Sequence, residues 1–176
     1  SSIYAIIENV AEIEDPSASD YGKEGINAKG LLRFGSWQPK PAYFAYQNLT
    51  SLIDSSFTPT TLPATFKVVD QGIFYGARPE KIMAVGFLKS CEVSLAYWLP
   101  WRPQELIKPA KVDISLDSVR IEEPILIDLL DGAIYNVDQV FEIKNKINFL
   151  SLPLADYPMI LTSRKLVNMT TKRPYP

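Results

Sequence analysis

The chain has 176 residues, with 18 Lys and Arg against 20 Asp and Glu, no histidine and one cysteine. A formal net charge of −2 gives no reason to expect nucleic acid or an anionic membrane as a partner. Without histidine there is no Ser-His-Asp triad, no Cys-His dyad and no His metal ligand. Cys91 alone excludes an intrachain disulfide, which leaves the compartment open, a secreted or periplasmic one included. The apolar share of 47% suffices for a real core. No apolar run approaches the roughly 18 residues of a membrane span, so no membrane is expected.

In chain order, Ser2-Ile3-Tyr4-Ala5-Ile6-Ile7 reads as a strand. Its near-continuous apolar run suits a parallel strand covered on both faces. Such a strand needs neighbours for its backbone donors and acceptors. An acidic segment follows, holding Glu8, Glu12, Glu14, Asp15, Asp20 and Glu24. From Pro41 to Asp54 the spacing predicts one amphipathic helix. Pro41 suits its first turn, where a missing N–H costs nothing. Ala42, Ala45, Tyr46, Leu49, Leu52 and Ile53 recur on one helical face. An isolated helix of this length is marginal in water and needs something to pack on. Residues 1–56 are therefore expected to be the last β-α unit of a larger α/β domain, incomplete here. The alternative is a strand-helix appendage on a β protein.

Composition shifts after Asp54. Ser55-Ser56-Phe57-Thr58-Pro59-Thr60-Thr61-Leu62-Pro63 has the character of a linker. From Ala64 the apolar period is near two. Strands are predicted at about 64–69, 73–76, 81–88, 92–99, 111–117, 124–130, 133–137, 139–143, 147–152 and 158–163. Asp131-Gly132 between two apolar runs is the strongest hairpin signal. Fourteen prolines and frequent turn signals favour an antiparallel sandwich over a helical bundle, filling residues 57–176. The fold class expected is thus mainly β.

Chemistry-bearing motifs are few. There is no Gly-x-Gly-x-x-Gly and no phosphate-binding loop, and nothing calls for a cofactor or a metal. Cys91 lacks a CxxC partner and reads as a buried structural thiol. In parallel α/β folds, ligand sites lie at the carboxyl ends of strands. Glu8 and Asn9 occupy that position, as hydrogen-bonding partners for a polar substrate or as part of a solvated acidic loop. Tyr21 is placed to stack on a sugar or to cover that loop. Tyr97 and Trp98 fall on opposite sheet faces by alternation, so at most one of them joins Trp101 in a binding platform. Asn48-Leu49-Thr50 and Asn168-Met169-Thr170 fit the glycosylation pattern, a string that recurs by chance.

The order of these segments resembles a known family. An acidic strand end, Asp15-Pro16, Glu24, Lys29-Gly30-Leu31-Leu32 and then Lys40-Pro41-Ala42-Tyr43-x-Ala45-x-x-Asn48-Leu49 is similar to the eighth β-α unit of retaining (β/α)₈-barrel glycoside hydrolases. This is the large clan of cellulases, mannanases, β-xylosidases and β-galactosidases. A C-terminal β-sandwich often follows the barrel and packs against it. Ala96-Tyr97-Trp98, residues 124–135 and Leu152 through Leu161 resemble that sandwich's strand-and-hairpin pattern. The resemblance implies a (β/α)₈ TIM barrel's last strand and helix, followed by the sandwich. It implies a glycosidase acting on polysaccharide or oligosaccharide, partnered by the N-terminal barrel portion of the same enzyme. It also implies that the two catalytic glutamates, at the ends of the fourth and seventh barrel strands, lie outside this chain. No catalytic residue is therefore assigned; Glu8, Asn9 and Tyr21 are the substrate-binding candidates. At least one of Trp37, Tyr43 and Tyr46 is expected to pack against the sandwich or the barrel. The competing reading is a noncatalytic carbohydrate-binding or interaction sandwich with an unrelated N-terminal extension.

Overall fold

Ala110, Val112, Ile114 and Leu116 are fully buried while the residues between them are not, so residues 110–117 have one wet face and one dry face. Met159–Ser163 is buried at every position, so that strand is covered on both sides. These two patterns define the two layers. The computed structural model describes residues 9–12, 24–27, 31–33, 36–72, 74, 76–101 and 109–167.

In chain order the elements are β1 (Asn9–Glu12), β2 (Glu24–Asn27), α1 (Pro41–Leu52), β3 (Thr58–Thr60), β4 (Ala64–Asp70), β5 (Met83–Lys89), β6 (Glu92–Trp98), β7 (Ala110–Asp117), β8 (Pro124–Asp128), β9 (Ile134–Asn136), β10 (Val140–Ile143), β11 (Lys146–Leu154) and β12 (Met159–Ser163). One sheet has the order β3-β5-β6-β12-β8-β9 and the other β10-β11-β7-β4. Every pairing in both is antiparallel. The protein is mainly β, a sandwich of a six-stranded and a four-stranded sheet, with one α-helix among the described residues, on the N-terminal side. β1 and β2 pair separately as a two-stranded sheet.

The core lies between the sheets. Leu95, Tyr97, Leu126 and Leu161 of the larger sheet meet Val112, Ile114, Leu116 and Phe149 of the smaller one. The Tyr97 hydroxyl, buried with its ring, donates to the Pro153 carbonyl at 2.9 Å and ties β6 to β11. Desolvation drives that phenol's pKa far above the ordinary tyrosine value. The outer face of the six-stranded sheet is also apolar. Ala96, Ile125, Ile127, Leu129 and Ile160 form a second cluster there. Ser94 and Thr162 are buried too, and satisfy each other through a 2.7 Å hydroxyl contact.

Turn chemistry departs from expectation in three places. Ser90 and Cys91 both have positive φ, 50° and 67°, and join β5 to β6 in a two-residue hairpin turn. Cys91 is therefore exposed at a hairpin tip, which corrects the expectation of a buried thiol. Of the strand predicted at 73–76, the described residues 74 and 76 are not in a strand: Phe74 N–H bonds to the Gln71 carbonyl, and Ala77 N–H to that of Phe74. Phe74 is nonetheless fully buried, so its apolarity signals core rather than strand. The predicted linker contains β3, an edge strand paired with β5 from Thr58↔Leu88 to Thr60↔Gly86. Pro59 is tolerated there because an edge position does not need every N–H. The parallel strand expected at residues 2–7 lies outside the described residues.

Gly86 is where β3, β5 and the following chain come closest. A Cβ there would sit 2.6 Å from Leu62 Cγ and 2.7 Å from the Thr60 carbonyl oxygen. Gly86→Ala must push β3 off the sheet edge, and overpacking of this kind costs about 1–3 kcal/mol. The expected drop in melting temperature is about 2–10 °C for a chain of this size, read by thermal unfolding monitored by circular dichroism.

Candidate functional site

Two features of the sandwich are placed to do something beyond holding it together. The first is the junction with α1. The helix opens at Pro41 after an extended Lys40 and ends at Leu52, with Ile53 closing it through a bond to the Leu49 carbonyl. Its C-terminal end is seated on the outer sheet face: Leu52 and Ile53 pack against the cluster of Ala96, Ile125, Ile127, Leu129 and Ile160. Asn48 Nδ2 donates to the Leu129 carbonyl at 3.0 Å. Gly132, at φ +76°, lets the β8–β9 loop approach that amide, since a Cβ there would lie 3.1 Å from Nδ2. The amide of the Asn48-Leu49-Thr50 string is thus turned into the sandwich, where an attached glycan would meet the loop.

The exit from α1 is pinned as well. Asp54 accepts from the Ser56 hydroxyl and from Ser56 N–H at 2.8 Å, and pairs with Lys89 Nζ at 3.1 Å. Lys89 also sits 4.8 Å over the Phe57 ring, and Phe57 is buried. The Ser/Thr/Pro segment is therefore held to β5 rather than loose. Trp37 and Tyr46 are 61% and 58% exposed, and Tyr43 meets Phe44 edge-on. The large aromatics do not anchor the helix on the sandwich; Asn48, Leu52 and Ile53 do.

The second feature is a groove of about 600 Å³ at one edge of the sandwich. It lies where the β10–β11 ladder ends: β10 pairs with residues 146–149, Leu150 N–H still bonds across to the Gln139 carbonyl at 3.0 Å, and among the described residues no strand pairs with residues 151–154 on that side. A bulge between Phe149 and Leu152 bends the strand there, with Ser151 at φ +55° and its N–H bonded to Asp113 Oδ1 at 2.9 Å. Buried Leu126, Val137, Leu152, Ala155 and Met159 form the floor. Asp128, Tyr135, Asp138, Gln139, Tyr157 and Lys111 supply the polar rim.

Asp128 organises that rim. Its Oδ2 accepts from the Tyr157 hydroxyl at 2.8 Å, and its Oδ1 accepts from Leu130 N–H at 2.8 Å. Burial, then the hydrogen bond and charge of Asp128, raise the Tyr157 pKa well above the usual tyrosine value. Tyr157 stays a neutral donor at every physiological pH. Tyr135, 48% exposed, is also raised, by partial burial and by Asp131 and Asp128.

Of the substrate-binding candidates read from the sequence, Asn9 is the first residue of β1, opposite Asn27. Glu8 and Tyr21 lie outside the described residues. Trp98 and Trp101 do not share a platform. Trp98 lies on the outer face of β6, opposite in sense to buried Tyr97, while Trp101 packs edge-on to Phe74 at 6.0 Å against the inter-sheet core. The groove residues were visible in the sequence only as parts of hairpins. Their signal is a tyrosine or aspartate at the ends of strands 124–128, 134–136 and 159–163, which no local pattern links. Among the described residues, no group of three His, Cys, Asp or Glu is placed to hold a metal ion, and no helix is long and apolar enough to cross a membrane. No protein-family model matches the chain, and no curated protein matches it.

Asp54 offers a test of the junction. Its hydrogen bonds from Ser56, with help from Lys89, lower its pKa to about 2. A depressed carboxylate contributes stability above its unfolded value of 3.8, lost as pH falls through about 2. Ser56→Ala should move the Asp54 carboxyl back toward 3.8, read by NMR titration of its side-chain carbonyl carbon. An unchanged midpoint would mean that Ser56 does not hold it.

Proposed function

We propose that this chain is the C-terminal portion of a glycoside hydrolase acting on β-linked glycans. In this reading the sandwich packs on and completes a catalytic (β/α)₈ barrel, and is not catalytic alone. The observation that carries it is the seating of α1. The helix that opens on Lys40-Pro41-Ala42-Tyr43 is seated on the sandwich through Asn48 and Leu52 of its C-terminal half and through Ile53 beyond it. Along its apolar stripe Ala42, Tyr46 and Leu49 stay exposed. A helix shared between two layers has this form: part of it belongs to the sandwich and part is free for a second body. Exposed apolar side chains in a row are what a barrel's neighbouring helix would cover, at about 25 cal/mol per Å² buried.

The chemistry agrees with a noncatalytic role. Retention needs two carboxyl groups about 5–5.5 Å apart across the scissile bond. Of the groove's carboxylates, Asp128 is held by the Tyr157 hydroxyl and Leu130 N–H, which fits positioning rather than nucleophilic attack.

Two measurements test the reading. The purified 176-residue chain should not hydrolyse aryl β-glycosides. Hydrolysis that is lost on Glu8→Gln would put the catalysis in this chain and overturn the proposal. Polypeptide captured from the source with an antibody to the sandwich should have an intact mass large enough for an added barrel, which typically takes about 250 residues. A mass matching this chain alone, with no barrel-sized polypeptide co-purifying, would favour the noncatalytic module.

A further inference from the structure

We propose that the groove at the β9–β11 edge of the sandwich binds a segment of a neutral oligosaccharide. The inference stands on the groove itself, whether or not the chain completes a barrel.

The lining matches the two kinds of surface a pyranose presents. Leu126, Leu152 and Met159 give a dry floor for C–H faces. Tyr135 stands at the rim with nearly half of its surface open, a large ring with one apolar face and a polar tip. Around these sit groups that both accept and donate, which hydroxyl-rich ligands need. Each Asp128 oxygen accepts one bond, from Tyr157 and from Leu130, and each retains a further lone pair. Asp138 and Gln139 are exposed on the adjoining loop and add acceptors and an amide donor.

Charge narrows the class. Among the described lining residues Lys111 is the one cation, against Asp128 and Asp138. The net sign of those residues is negative, which disfavours phosphate, sulfate and uronate groups and favours hydroxyl donors. A peptide added as an extra strand fits less well. The edge strand β9 has three residues, and on β11 the Leu150 and Ser151 N–H groups already bond to the Gln139 carbonyl and Asp113, while Pro153 has no N–H and its carbonyl accepts from Tyr97. Such edges offer too few free backbone groups to template another strand.

The site is also preformed. Asp128 is fixed from two directions, and Ser151 is held in its bulge by Asp113. A rim that is already ordered loses less entropy on binding.

The test is a titration of the ¹⁵N-labelled 176-residue chain with cellohexaose, xylohexaose and mannohexaose, followed by amide shifts. Trigalacturonate and a Thr/Val hexapeptide serve as comparisons. At least one neutral hexaose should shift the amides of Tyr135, Asp138, Gln139, Ser151 and Tyr157, with a Kd at or below about 1 mM. Tyr135→Ala should weaken that binding about tenfold, with amides far from the groove unchanged. Asp138→Asn, a change on an exposed loop that leaves the core alone, should weaken it about threefold, a smaller loss as expected for a rim contact. No shift with any hexaose, or shifts confined to other surfaces, would overturn the proposal. So would tighter binding of trigalacturonate or the peptide than of every hexaose. These outcomes do not depend on the intact-mass result, so this proposal and the assignment to a larger hydrolase fail separately.

Discussion

The six-stranded sheet is apolar on both faces, and most of the architecture follows from the need to cover each of them. Its inner face is closed by β7 and β11, whose own outer faces stay wet. Its outer face carries Ala96, Ile125, Ile127 and Ile160, with Phe87 and Val167 of the sandwich packed against them. A second layer is therefore obligatory, and α1 supplies part of it through Leu52 and Ile53. The hydroxyls of Ser94 and Thr162 accept burial in this layer only because they pair with each other. The central position of β12 explains why Met159–Ser163 has no exposed residue at all.

Covering that face fixes the course of the chain before the sandwich. Asn48 reaches the Leu129 carbonyl, Gly132 makes room for it, and Asp54 with Lys89 and Phe57 clamps the exit from the helix. These contacts use both ends of a segment whose composition suggests a free linker. The helix is consequently aimed by the sandwich, while Ala42, Tyr46 and Leu49 on its apolar stripe stay exposed. That geometry is the physical basis for reading the helix as shared with a second body.

The groove has a different origin. The two sheets are closed along most of their length, but β10 is shorter than β11, and the bulge between Phe149 and Leu152 bends β11 beyond the stretch it pairs with β10. Core residues, Leu126 and Met159 among them, also line the groove that Tyr135 and Tyr157 border. A mismatch in strand length thus converts one edge of a packed core into a lined concavity, with Asp128 holding its rim in place.

Local patterns in the sequence determined much of this. Alternation from residue 110 to 117, the continuous apolar run ending at Ser163, the Asp-Gly hairpin and the 3.6-residue period from Pro41 all depend on neighbours a few residues apart. They set the sandwich and the helix with boundaries close to those observed. Tertiary structure alone decided the rest. β3 carries Thr and Pro without alternation, and becomes a strand only because β5 offers it an edge. Phe74 has strand-like apolarity, yet it is buried from a turn. Cys91 lies between two strands, and its positive φ at the hairpin tip puts it in solvent. The groove joins Asp128, Tyr135, Asp138, Ser151 and Tyr157, which come from strands and loops paired through β12 and β11. Their proximity is a product of sheet order and of one bulge, and long-range pairing of that kind leaves no mark on any local stretch of sequence.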